Sequence, residues 1–206
     1  MKLWNRVALA GTVLSLAACA SSLKTNFYTL SGEPALAQGA KPAAATGAPA
    51  ATGVALIHVS IAQVAIPEIV DRRQLVVRTA PNRVEIADFH QWAEPLRLGI
   101  ARALVQDLAA QLGAGFVVLI GQPAGLLPEV RVSLDVQKLE AVRGESVMLE
   151  MVWSVRPAKG EVRSGRSSAE ERVASNDYAA IAAAYSRALA RVARDIGAAI
   201  AALQLS

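Results

Sequence analysis

The sequence predicts an α+β fold: an antiparallel-rich mixed sheet with two amphipathic helices packed on one face. Three observations predict it. Apolar and polar residues alternate through Val130–Val136 and again through Val147–Val155, and a polar third run follows at 161–173. Period two with short turns between the runs marks an antiparallel meander with one wet face. Two other stretches carry helical spacing: Ile100, Leu104, Leu108 and Leu112, then Tyr178, Tyr185, Val192 and Ala199 with Ile181, Leu189, Ile196 and Leu203 beside them. The order is strands, helix, strands, helix, so the helices cover a sheet and do not alternate with parallel strands. At 206 residues the chain suits one domain with a real core plus a tail.

Residues 1–18 read as a secretory signal. Lys2 and Arg6 supply a positive start, Val7 to Leu16 is a mostly apolar run, and Ala17 and Ala18 are small. The run is too short to span a bilayer. Cys19 follows directly and is the only cysteine. Leu16-Ala17-Ala18-Cys19 resembles the bacterial lipobox, which implies a diacylglycerol on the thiol, cleavage before Cys19 and an acyl chain on the new amino group. The alternative is an ordinary signal with an incidental cysteine. Cleavage removes Lys2 and Arg6, so the formal charge falls from +4 to +2. Once the thiol is acylated no disulfide can form, and packing alone must stabilise the domain.

Residues 19–26 form the lipidated spacer, and Phe27–Leu30 is a short aromatic and β-branched strand. Residues 31–53 are Ala, Pro and Gly rich with one large apolar side chain, Leu36, and read as a linker or surface loop. The main domain spans 54–206. Val54 to Val64 is a buried strand, ended by Pro67. Gln74–Thr79 and Arg83–Asp88 pair as a hairpin across Ala80-Pro81-Asn82. Pro95 suits a first helical turn, and Gly113 and Gly115 suit its end. Phe116–Ile120 is a short strand. The meander follows, turning at Arg143-Gly144-Glu145 and at 157–160. Asn176-Asp177 caps the last helix, with Arg187, Arg191 and Arg194 on its wet side.

Several function classes lack a footprint. There is no run of five like charges for nucleic acid. The two histidines, His58 and His90, have no ligand spacing around them, so no metal is expected. No G-x-S-x-G and no phosphate-cradling loop occurs, so neither catalysis nor nucleotide binding is expected. Arg72-Arg73 suits head groups or a partner, or simply a solvated loop. Trp92 and Trp153 suit core packing or helix entry.

Three pieces in order behind the lipobox carry a family resemblance. They are Phe27-Tyr28-Thr29-Leu30; Ile66 to Arg78, in the pattern I-P-x-x-x-D-R-x-Q-L-V-x-R; and Trp92-Ala93-Glu94-Pro95-Leu96. Together they resemble the ABC-type transport auxiliary lipoprotein family, with an expanded Ala/Pro stretch between the first two pieces. Pro67, Asp71, Arg72, Gln74, Arg78, Trp92, Glu94 and Pro95 are the matching residues, and their roles read as fold-specifying. The resemblance implies a non-enzymatic lipoprotein with no cofactor beyond its acyl chains. The implied partners are an MCE-domain protein and the ABC permease and ATPase of an intermembrane lipid transporter. By the sorting rule of such lipoproteins, Ala20 in place of Asp implies the periplasmic face of the outer membrane. A structural envelope lipoprotein and a periplasmic lipid carrier remain alternatives. A homo-oligomer paired through the last meander strand is also open, against a monomer whose edge is guarded by Arg163, Arg166 and Arg172. If Phe27–Leu30 joins the sheet, the tether is only Ala20 to Asn26, about 25 Å at full stretch.

Overall fold

A computed structural model of the chain describes residues 24–32, 58–112, 117–119 and 129–203. The signal segment, Cys19, most of the Ala/Pro stretch, Gly113 and Gly115 lie outside these residues. Eight strands and two helices are described: β1 (Asn26–Tyr28), β2 (Val59–Ala65), β3 (Gln74–Ala80), β4 (Arg83–Trp92), α1 (Leu96–Leu112), β5 (Val117–Leu119), β6 (Val130–Ala141), β7 (Ser146–Pro157), β8 (Arg163–Arg172) and α2 (Tyr178–Leu203).

The α+β class holds, but the strands divide between two sheets where the sequence reading expected one. A three-stranded sheet has the order β1-β4-β3, and a five-stranded sheet the order β5-β2-β6-β7-β8. β2 runs parallel to both β5 and β6, while β6, β7 and β8 form the antiparallel meander. The hairpin falls outside the large sheet because it pairs with β1, and alternation within a strand says nothing about which strand lies beside it. β4 also runs four residues past the expected Asp88. Its register against β3 breaks between Gln74 and Leu75, so Asp88, Phe89 and His90 bulge before Gln91 pairs with Gln74.

Both helices lie on one face of the large sheet. Val132, Leu134, Leu149, Met151 and Val155 are buried beneath Ile181, Leu189, Ile196 and Ile200 of α2 and Ile100, Leu104 and Leu108 of α1. The expected helix stripes are therefore the observed core stripes. Asp177 caps α2 as its sequence position suggests, its Oδ1 accepting from the Ala179 N–H at 3.2 Å. Two of the three arginines expected on the wet side of α2 instead reach the sheet: Arg187 and Arg191 both pair with Glu171 of β8. Alternation fails once in the meander. β6 bulges between Val136 and Lys138, and from there Leu139 and Ala141 point inward while Lys138 and Glu140 turn outward.

Trp153 is buried, and its Nε1 donates to Ser167 Oγ at 3.0 Å. Ser167 in turn donates to Asp195 Oδ2 of α2 at 2.5 Å. The indole lies flat on Gly165 of the neighbouring strand, where a Cβ would stand 2.4 Å from its Cζ2. A ring cannot yield as a flexible side chain can. Gly165→Val is therefore expected to destabilise the domain by about 1–3 kcal/mol through overpacking. Denaturant titration of variant and parent checks it, and equal midpoints would refute it.

Candidate functional site

The matching residues gather where β1, the end of β4 and the start of α1 meet. Pro67 follows β2 and opens a turn, its carbonyl accepting from Val70 N at 3.1 Å and Asp71 N at 3.2 Å. Asp71 then pairs with Arg97 in the first turn of α1. Arg72 is exposed. Arg73 carbonyl accepts from Trp92 N at 2.6 Å, and Gln74 opens β3 opposite Gln91. Trp92 is buried, with its ring tilted against Tyr185 at 6.3 Å between centroids. Pro95 carbonyl accepts from Leu98 N and Gly99 N and so starts α1. Glu94, just before it, pairs with Arg102 at 3.0 Å. Proline has no N–H to leave unpaired at a helix start, which is why this entry suits it.

Arg78 lies apart from this group. It spans the gap between the two sheets, with Nη2 on Glu140 Oε1 at 2.5 Å and Nε on Glu140 Oε2 at 3.2 Å. Its Nη1 also donates to the Pro81 carbonyl in the hairpin turn. The β6 bulge makes this possible by turning Glu140 outward. Partial burial raises the Glu140 pKa, but the hydrogen bond from Arg78 and the charges of Lys138 and Arg78 outweigh it, so the carboxyl sits below its usual range. A depressed carboxylate contributes stability above its unfolded pKa and loses it as pH falls through the folded one. Glu140→Gln is thus expected to cost about 1 kcal/mol at neutral pH, since the pair is only partly buried. The cost should vanish on acidification below the carboxylate range. Unfolding titrations at both pH values check this, and a pH-independent difference would refute it.

The segment 26–32 is held along its length. β1 runs parallel to β4, with Tyr28 opposite Trp92. Tyr28 carbonyl accepts from Ala93 N at 2.8 Å. Burial, then Asp177 and Tyr178, raise the Tyr28 pKa, so its hydroxyl keeps its proton and bonds His90 Nδ1 at 2.7 Å. His90 stacks on Tyr178 at the start of α2, 3.9 Å between centroids, and Arg143 lies over the Tyr178 ring at 4.8 Å. Leu30 is buried, with Cδ1 3.7 Å from where a Gly99 Cβ would stand. Ser31 N donates to Ser186 Oγ of α2 at 3.2 Å, and Gly32 N to Gln106 Oε1 of α1 at 2.7 Å. Gly32 passes so close to α1 that a Cβ would stand 2.7 Å from Gln106 Cβ.

Sequence reasoning missed this strap apart from Phe27–Leu30. Tyr28 and His90 are 62 residues apart, and Ser31 and Ser186 are 155 apart. No local spacing signals such pairs. Cys19 lies outside the described residues. Among the described residues no three His, Cys, Asp or Glu side chains gather to hold a metal ion. No helix there is long and apolar enough to cross a membrane.

What the geometry defines is a small α+β module whose amino-terminal strand is clamped to both helices, a shape suited to holding a domain by its leading end. The chain belongs to the family of ABC-type transport auxiliary lipoprotein components, which matches residues 28–197. By its description that family is one of transport auxiliary lipoproteins. Solved structures with the same fold include an uncharacterized protein, 18% identical with TM-score 0.63, covering 86% of this chain and 99% of that one. A Xanthomonas campestris protein of family DUF330 is 19% identical with TM-score 0.58, covering 84% of this chain and 93% of its own. A PelC dodecamer from Paraburkholderia phytofirmans is 13% identical over 68% of this chain and 88% of that one, with TM-score 0.38, too low to bear on this chain. No curated protein matches the sequence.

Proposed function

We propose that this chain is an outer-membrane lipoprotein of an MCE/ABC-type intermembrane lipid transport system. It acts as a binding and assembly subunit, with Cys19 as its acylated first residue and no catalytic step of its own. The observation that carries the reading is the family match over 28–197 behind a lipobox. The strap gives it a mechanism. A tether fixed to a mobile arm would let the domain drift, whereas one that ends in a clamped strand transmits position to the whole fold. The energy for moving lipid would come from the ATPase, and this subunit would hold the partners in place. Self-association through β8, the edge of the five-stranded sheet, would extend that role, since a free edge offers unpaired N–H and C=O groups.

Crosslinking in intact envelopes, followed by separation of the two membranes on a density gradient, tests the proposal. The expected result is recovery with outer-membrane markers and crosslinks to an MCE-domain protein. Recovery wholly with inner-membrane markers would overturn the location, and crosslinks confined to porins or wall-linked proteins would favour the structural alternative.

A further inference from the structure

The three-stranded sheet turns one face to the core and leaves the other open. Leu75, Val77 and Trp92 are buried on the inner face. On the open face the register places Val84 beside Arg78, Ile86 beside Val76, and Phe27 beside Gln91. Phe27 is 61% exposed, Ile86 42% and Val84 38%, and Phe89 in the β4 bulge is 41% exposed. A row of large apolar side chains left in water marks a contact surface.

The path of the chain says what covers it. β1 runs parallel to β4 and Asn26 pairs with His90, so the chain enters β1 from the side on which Arg83 opens β4 after the Pro81-Asn82 turn. From Cys19 to Asn26 is seven residue steps, about 25 Å at full stretch. From His90 back to Arg83 is also seven steps, about 24 Å of strand. The anchored cysteine can therefore reach about as far as the hairpin turn and no farther. A bilayer that holds Cys19 therefore lies within about 25 Å of Asn26, close enough for this end of the small sheet to touch it. Arg83 opens β4 beside the turn and Lys24 precedes β1; both are exposed and suit phosphate head groups. Glu85 and Asp88 are exposed too, so apolar contact carries the affinity and charge adds little.

We infer that the open face of the β3–β4 hairpin, with Phe27 and Phe89, rests in the head-group region of the membrane that carries the anchor. The occupant is a phospholipid surface. The inference rests on the reading that Cys19 is acylated. It adds that the domain does not hang free but lies in one orientation, with the β6–β7 end of the large sheet nearer the bilayer than the β7–β8 end.

An acylated Cys19 cannot take up a thiol dye, so an introduced cysteine becomes the sole labelling site. The mature lipidated chain carrying Ile86→Cys, labelled with a polarity-sensitive fluorophore, would be reconstituted in vesicles of phosphatidylethanolamine and phosphatidylglycerol. Lipids bearing a nitroxide near the head group serve as quencher. Val162→Cys is the control, at an exposed position before β8 and at the far end of the meander from Glu140. The expected result is a blue shift and loss of most emission at 86, with little change at 162. Emission at 86 that stays unquenched while the protein floats with the vesicles would overturn the inference and leave the anchor standing. A blue shift without quenching would do the same, since it would mean a protein occupant such as a second copy. Dye uptake by the parent chain, or failure to float, would overturn the anchor and this inference together.

Discussion

Removing Phe27–Leu30 is expected to lower the thermal midpoint of the domain by roughly 10 °C, whereas a deletion within 36–51 should leave it nearly unchanged. The physical grounds lie in the strap. Truncating a buried leucine such as Leu30 costs about 2–5 kcal/mol by itself. The deletion also removes the β1–β4 pairing, the Tyr28 hydroxyl bond to His90 and the path that brings Ser31 to Ser186 and Gly32 to Gln106. It leaves Tyr178 and His90 stacked on each other with one side newly open to water. Lengthening or shortening a connecting segment changes loop entropy only slowly, which is why the Ala/Pro stretch should tolerate loss. Melts of the two deletion variants beside the parent decide the matter. A large drop for the 36–51 deletion with none for 27–30 would show that the strap does not bear on stability.

Changing Cys19 to Ala should abolish acylation and leave an unprocessed or mislocalised form, the largest effect on function expected of any single substitution. Several acyl chains hold a protein stably where one gives marginal binding, so their loss is not a graded change. Position 19 lies outside the described residues and ahead of the clamped strand, and the thermal midpoint of the domain should stay where it was. That pairing of outcomes separates anchoring from folding. Incorporation of labelled fatty acid, with fractionation of the envelope, reads the first part, and a melt reads the second. Normal cleavage with unchanged membrane association would refute the lipobox reading.

The helices were legible because each is long enough to show its period. Ile100, Leu104 and Leu108, and Tyr185, Leu189 and Ile196, repeat at turns of a helix and are the residues found buried. The meander was legible for the same reason, through Val132, Leu134, Leu149 and Met151. Pro67, Asp71, Trp92, Glu94 and Pro95 stood out as a resemblance, and their roles in turn and helix entry follow from local chemistry. Arg78 also stood out, but its partner did not. Glu140 faces it only because β6 bulges after Val136, which is where the alternation read from the sequence stops.

By itself, then, the sequence determined the class of fold, the stripes that form the core, and the family. These are written in short-range patterns, where one residue's neighbours in the chain are its neighbours in space. Only the tertiary structure decided that the hairpin joins β1 in a separate sheet, and that residues 26–32 are clamped between α1 and α2. It also decided that Val84, Ile86 and Phe27 share one open face. Each of these depends on pairings across many tens of residues, and strand order and register across such distances are set by which arrangement buries the most apolar surface, a property of the whole chain and of no segment within it.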